Sequence, residues 1–408
     1  MVDLADIFRQ YGPVYRAQFE AQLSSDQRYA MWAIEHCRTE TLGGQVYHCP
    51  DCDQDVYQYH SCRNRHCPKC QNDNAQTWLE HQQALLLPVP YFMLTFTLPA
   101  PLRAVARRHP ALIYDLLFRT SAAATQHLAA DPRFVGGQLG LVGVLHTWGR
   151  TLTYHPHVHY LLPAGGWTEE QRWQPAREDF LVPVKALSSI FRARFRDALR
   201  ATSCFADVSA SVWEQDWVVH CKAVGNGATA FKYLAPYIFR VAISNNRILK
   251  VEDDHVTFRY RASDTGQVKQ CTLTAPEFIR RFLQHVLPKH FVKVRYYGFL
   301  SPSQRERLAM IRQQLTATTR SDASPTTVTT DLPTPLIDQA APMRMPTDID
   351  TPLGAPIAST TVPVTAPPVT APPTPAELTS QREVRCPACG RLLQRGTILL
   401  PTRGPPHA

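Results

Sequence analysis

The chain has 408 residues, 44% of them hydrophobic, with a formal net charge of +9 and a pI near 9.0. That length and apolar content allow two or three domains with a substantial core, and exclude a wholly disordered or fibrous chain. The basic balance favours a polyanionic partner over a basic or neutral one. It is concentrated in the folded parts, because residues 315 to 382 set Arg320, Arg344 and Arg382 against Asp322, Asp331, Asp338, Asp348, Asp350 and Glu377.

The start MVDLADIFRQ has no cationic flank before an apolar run, so a cytoplasmic protein is expected. Ser24 or Ser25 can cap a helix whose apolar positions Ala30, Ala33, Ile34 and Cys37 recur at helical spacing. A cysteine-rich stretch, Tyr47 to Cys70, follows, then a helix of about Ala75 to Leu87 that stops at Pro88. The charge-free run Ala84 to Leu102 is interrupted by Pro88, Pro90, Pro99 and Pro101, which argues against a membrane span and for a buried strand at Tyr91 to Leu98. Helix is expected from 102 to 130 with a break at Pro110, and an antiparallel pair at Leu139 to Thr147 and Thr153 to Leu162. Next come a helix at Val184 to Ala201, a strand at Trp217 to Lys222, a helix at Ala228 to Phe239, and a hairpin around Ile248 and Val256 to Arg261. From about Thr316 to Ser380 the composition shifts to Pro, Thr, Ala and Ser, with the direct repeat VTAPP at Val364 and Val369, which reads as a disordered linker. The order of elements indicates an α+β fold, divided into a small domain over 1–88, a main domain over 89–314, a linker over 315–382 and a tail over 383–408.

Eleven cysteines fall in groups that metal ligands would form, and a reducing compartment removes the need for disulfides. Cys49-Pro-Asp-Cys52 and Cys67-Pro-Lys-Cys70, with fourteen residues between them, are spaced like the two turns of a structural zinc site. Four thiolates close the tetrahedron and leave no open position for catalysis. Cys37, His48, His60, Cys62 and His66 are further candidate ligands, for a second ion or for substitution among the four; core packing is the preferred reading of Cys37 on its helical stripe, and Cys386-Pro-Ala-Cys389 needs partners from elsewhere. Arg63, Arg65 and Lys69 interleave with the ligands and offer cations for phosphate contact.

Tyr154-His-Pro-His-Val-His-Tyr-Leu-Leu162 puts His155, His157 and His159 on one face of a strand. Neighbours on that face lie about 7 Å apart, within reach of one shared ion. His157 and His159 are the better pair, since the strand continues into apolar residues after them, and taken alone they would equally suit a zinc hydrolase. Downstream, Tyr233 and Tyr237 are spaced i, i+4 with Lys232, Arg240 and Arg247 nearby. A histidine-bound ion beside a tyrosine pair suits phosphodiester exchange: the ion offsets charge in the transition state while a tyrosine oxygen attacks phosphorus, giving a 5′-phosphotyrosine and a free 3′-hydroxyl.

Together these segments resemble the two-tyrosine HUH transposases of rolling-circle insertion sequences, the IS-ninety-one group, over roughly residues 10 to 300. The resemblance is carried by Ser61-Cys-Arg-Asn-Arg-His-Cys-Pro-Lys-Cys-Gln71, Phe96-Thr-Leu-Pro99, Val144-Leu-His-Thr-Trp-Gly149, His155-Pro-His-Val-His159, Lys232-Tyr-Leu, Val256-Thr-Phe-Arg-Tyr260 and Arg281-Phe-Leu-Gln-His-Val-Leu-Pro-Lys289. It implies an antiparallel nuclease sheet flanked by helices, a zinc-binding amino-terminal domain, Mg²⁺ or Mn²⁺ on His157 and His159, nucleophiles Tyr233 and Tyr237, and single-stranded DNA at element ends as substrate. His155 and His146 are candidates for a third metal ligand. Pro236 departs from a regular helix between the tyrosines and makes Tyr233 the safer nucleophile. A replication initiator or relaxase would share the chemistry, and a zinc-finger DNA-binding regulator would share only the cysteines and the charge.

Overall fold

The computed structural model describes residues 2–71, 86–226, 242–262, 265–321 and 384–402. The expected helices at 75–87 and 228–239 lie wholly or largely outside these residues, as does most of the Pro/Thr-rich segment.

Two helices open the chain. Helix α1 (Leu4–Phe19) starts with a capping box between Asp3 and Asp6, and α2 (Ser25–Glu35) with one between Ser24 and Gln27. The hairpin β1 (Gly44–Cys49) and β2 (Gln54–Tyr59) follows. Strand β3 (Pro90–Thr97) leads through a 3-10 turn into α3 (Arg103–Arg108) and α4 (Pro110–Ala129), with Pro110 beginning the second helix. The histidines lie on β4 (Leu141–Trp148) and β5 (Tyr154–Pro163). A small pair, β6 (Gly165–Trp167) and β7 (Trp173–Pro175), precedes α5 (Val184–Arg200) and β8 (Val219–Asn226). Then come β9 (Ile248–Glu252), β10 (His255–Arg261), β11 (Val268–Thr274), α6 (Ala275–Leu283), β12 (Val294–Tyr297), α7 (Arg305–Ser321) and, in the tail, β13 (Gln394–Leu399).

The central sheet has strand order β12-β4-β5-β3-β8, with antiparallel pairing throughout. One face is covered by α4 and α5 over a core that includes Phe96, Phe118, Val158, Tyr160, Phe191 and Phe195. The other face is covered at one end by Phe299, Leu300, Leu308 and Ile311, which pack on Tyr91, Val142, Val144 and Leu161. The histidines occupy the opposite end of that second face. Helix α7 continues to Ser321, past the point where the linker was expected to start, because Leu308, Ile311 and Leu315 form a helical stripe packed on this core.

A second core joins α1 and α2 to the sheet β11-β10-β9 and α6, through Ile7, Phe8, Met31 and Ile34 against Val256, Phe258, Phe278 and Phe282. The boundary expected at residue 88 therefore does not separate two cores: the amino-terminal helices need apolar partners from residues 242–286. A third sheet, β13-β1-β2, includes the tail. Among the described residues no helix is long and apolar enough to cross a membrane.

Candidate functional site

Along β5 the alternation is plain: Tyr154, Pro156, Val158 and Tyr160 are buried against the helical layer, and His155, His157 and His159 take the other face. The antiparallel register sets His146 of β4 opposite His157, so both project to the same side. The ligand nitrogens of His146, His157 and His159 all lie within 4.8 Å of one another. The ring centroids are 4.8 Å apart for His157 and His159, 5.4 Å for His146 and His157, and 5.1 Å for His146 and His159.

Neighbouring groups orient the rings. His157 Nδ1 is 2.6 Å from the His155 carbonyl, which can only accept, so Nδ1 carries the proton and Nε2 the lone pair. His159 Nδ1 is 2.9 Å from the Thr95 hydroxyl, and with Thr95 accepting, Nε2 is again the coordinating nitrogen. Thr95 faces His159 directly across the β3–β5 pairing. Burial lowers the pKa of His157 to about 4 and that of His159 to about 3, which keeps both imidazoles neutral and basic toward a cation at neutral pH. Three imidazoles, with no carboxylate in the cluster among the described residues, suit a transition-metal cation better than the oxygen-seeking Mg²⁺.

His155 is not part of this cluster, because its Nδ1 meets Arg103 Nη2 at 2.8 Å. His146 stands in the third position, where the ring of Trp148 stacks on it at 4.8 Å. Sequence spacing could not rank the two, since His146 reaches the site through strand pairing. Arg103, just after β3, went unnoticed in the sequence; it places a guanidinium beside the histidine strand, with a buried Nε that has no hydrogen-bond partner among the described residues.

The cysteines form two clusters where spacing suggested one. Cys67 and Cys70 join Cys37 and Cys62, whereas Cys49 and Cys52 join Cys386 and Cys389. The reason is the β1–β2 hairpin: Gly44 pairs with Tyr59 at its base and Cys49 with Gln54 at its tip, about 17 Å away along the strand. Cys62 to Cys70 follow the base, so the two CxxC turns sit at opposite ends. Cys37 is consequently a member of a thiol cluster and not only a core residue.

The sulfur geometry fits zinc. Four thiolates around Zn²⁺ at ~2.3 Å lie about 3.8 Å from one another. Cys37 and Cys62 are each 3.6 Å from Cys70, Cys49 is 3.6 Å from Cys389, and Cys52 is 4.0 Å from Cys386. His66 belongs to neither cluster: its Nε2 accepts from the Leu287 amide and its Nδ1 faces Asn64 Oδ1, so it ties the loop to the main body.

Three of the four described cations expected to meet phosphate are engaged within the fold. Lys69 pairs with Asp3 at 2.6 Å, Arg65 donates to the Phe291 carbonyl, and Arg247 donates to the carbonyls of Arg259 and Arg150. Arg63 is exposed, on a left-handed backbone turn with φ of 51°. Lys232, Tyr233, Pro236, Tyr237 and Arg240 lie outside the described residues. A surface cleft of about 740 Å³, lined in part by Gln126, Gly137, Trp167 and Arg307, shares no residue with any of the three clusters.

Comparison with known proteins adds the family. Residues 7–98 match the family described as "Transposase zinc-binding domain", and residues 140–307 match one described as "Putative transposase". The first range contains Cys37, Cys49, Cys52, Cys62, Cys67 and Cys70; the second contains the three histidines and both tyrosines. The chain is 42% identical to the "Putative transposase y4qJ" of Sinorhizobium fredii over 335 residues, which covers 77% of this chain and 84% of that one. It is 30% identical over 283 residues to the "Transposase for insertion sequence element IS801" of Pseudomonas savastanoi pv. phaseolicola, covering 65% and 68% respectively. With the α+β fold, the antiparallel sheet and the amino-terminal thiol clusters, these matches establish that the chain belongs to the IS-ninety-one group of transposases and carries their amino-terminal zinc-binding domain.

Proposed function

We propose that this transposase nicks and rejoins single-stranded DNA at the ends of a mobile element through a phosphotyrosine intermediate. The observation that supports this most is the cluster of His146, His157 and His159, three imidazoles gathered on one sheet face with the proton of at least His157 directed away from the shared centre. His146, His157 and His159 would hold a divalent cation, Mn²⁺ or Mg²⁺, which would offset negative charge on the scissile phosphate.

The chain's own residues do the rest. Tyr233 Oη gives up its proton and forms a bond to phosphorus; the bond from phosphorus to the 3′-oxygen breaks, and that oxygen takes a proton. The strand end is then held as a 5′-phosphotyrosine. Because one phosphodiester replaces another, a 3′-hydroxyl attacking the phosphotyrosine reverses the exchange and rejoins the strand without ATP. Tyr237 holds a second strand, and Pro236 between the two makes Tyr233 the first nucleophile. Arg103 is the cation best placed to meet the phosphate, since it already lies beside His155.

The test incubates purified protein with Mn²⁺ or Mg²⁺ and a labelled single strand carrying the element's end, then looks for a protein–DNA adduct on a denaturing gel. His157→Ala and His159→Ala should abolish cleavage while retaining most DNA binding, and Tyr233→Phe should abolish the first adduct with fold and metal binding intact. Tyr237→Phe should still nick but fail to complete strand transfer. An undiminished adduct in the double Tyr233→Phe, Tyr237→Phe variant would overturn the mechanism. A hydrolysis product without adduct would assign the histidines to a metal-dependent nuclease. Cleavage of a plasmid origin in preference to an element end would assign the chain to replication initiation or strand transfer in conjugation.

A further inference from the structure

We infer that the zinc-binding domain of this chain is completed by its own carboxy-terminal tail: a second zinc ion is held by Cys49 and Cys52 together with Cys386 and Cys389. The region matched as a zinc-binding domain ends at residue 98 and supplies only half of this ligand set.

Four observations carry the inference. First, the two contributing turns have the same form, Cys49-Pro-Asp-Cys52 and Cys386-Pro-Ala-Cys389, and their sulfurs approach to 3.6 Å and 4.0 Å, the separations that a tetrahedral thiolate site requires. Second, the tail turn is closed as a metal-binding knuckle: the Cys386 amide donates to the Arg391 carbonyl at 2.7 Å, the Gly390 amide donates to the Cys386 carbonyl at 2.9 Å, and Gly390 takes the left-handed φ of 75° that the turn needs. Third, the strand leaving this knuckle pairs with the strand entering the other. β13 runs antiparallel to β1, with Gly44 opposite Leu399 and His48 opposite Gln394, and the Gln45 side chain donates to the carbonyls of Gly396 and Thr397. An ion pair from Arg391 to Asp51 at 2.7 Å links the two knuckles directly.

Fourth, apolar burial is too slight to hold the tail in place. β13 is exposed over most of its length, and Ile398 and Leu400 are 60% and 78% exposed. A short, solvated strand does not dock stably by backbone pairing alone. The ion is the component that fixes it, and the structure thus makes a two-knuckle ribbon from the two ends of the chain.

Zinc content decides the matter. The full chain is purified with zinc present, in a His157→Ala, His159→Ala background so that metal on the histidines is not counted, and zinc per chain is measured by elemental analysis. Two equivalents are expected. Cys386→Ser with Cys389→Ser should leave one, and Cys49→Ser with Cys52→Ser should also leave one. The quadruple variant should still leave one, because all four thiols serve the same ion. A starting value of one, or retention of two in the tail variant, would overturn the inference. A quadruple variant with none would place the two pairs in different sites and also overturn it. Amide exchange gives a readout independent of stoichiometry: residues 395–399 should lose protection in the tail variant while residues 141–148 of β4 keep theirs. Unchanged protection at 395–399 would show that the strand docks without the ion.

Discussion

At the scale of single residues, hydrogen bonds decide what the histidines can do. Thr95 touches no metal position, yet its hydroxyl 2.9 Å from His159 Nδ1 sets the ring. Thr95→Val keeps the shape and removes the oxygen, so Mn²⁺ affinity should fall by roughly 10- to 100-fold with little change in unfolding, as measured by metal titration and urea denaturation. A second histidine behaves oppositely. His285 is 3% exposed, donates from Nε2 to the Leu152 carbonyl, accepts at Nδ1 from the Thr147 hydroxyl, and burial lowers its pKa from 6.5 to about 3. Its folded pKa lies below the unfolded one, so its contribution is complete above pH 6.5 and is lost as pH falls toward 3. Between pH 7 and pH 5 one such histidine removes about 2 kcal/mol of stability. Urea unfolding of His285→Gln, whose amide can still donate to Leu152, should show a pH dependence weaker by that amount than the parent chain.

At the scale of elements, packing between distant segments carries the stability. Phe8 of α1 meets Phe282 of α6 edge to face at 5.4 Å, and both are nearly inaccessible. Phe282→Ala should cost about 3–5 kcal/mol in denaturant unfolding and loosen α1, because a cavity would open in the only described core shared by the amino-terminal helices and the β9–β11 sheet. Elements with strong local signals were legible beforehand. The Ser24 cap, Pro110 as a helix start and the period of two along β5 all appear where the residues require them. Helix α1 was not expected, since Gly12 and Pro13 interrupt its pattern; Gly12 is instead a close approach, where an added Cβ would stand 2.5 Å from Glu35 Oε1. β2 and β13 were also missed, as their mostly exposed residues carry no apolar alternation.

At the scale of the whole molecule, the clasp between the chain ends sets a thermodynamic condition. A structural zinc on four thiolates contributes about 10–16 kcal/mol, so the two knuckles should stay together only while the ion is bound. The sequence by itself determined the residue types and the faces they share: cysteines in CxxC turns for zinc, alternating histidines on one strand, and a family resemblance carried by contiguous motifs. Those features depend on local geometry, which spacing encodes. Only the tertiary structure decided which cysteines meet and which histidine completes the triad. Both outcomes depend on strand pairing: the length of the β1–β2 hairpin separates Cys49 from Cys67, and the register of β4 on β5 brings His146 opposite His157. Pairing between distant segments is set by the burial of whole faces, which no short stretch of residues specifies.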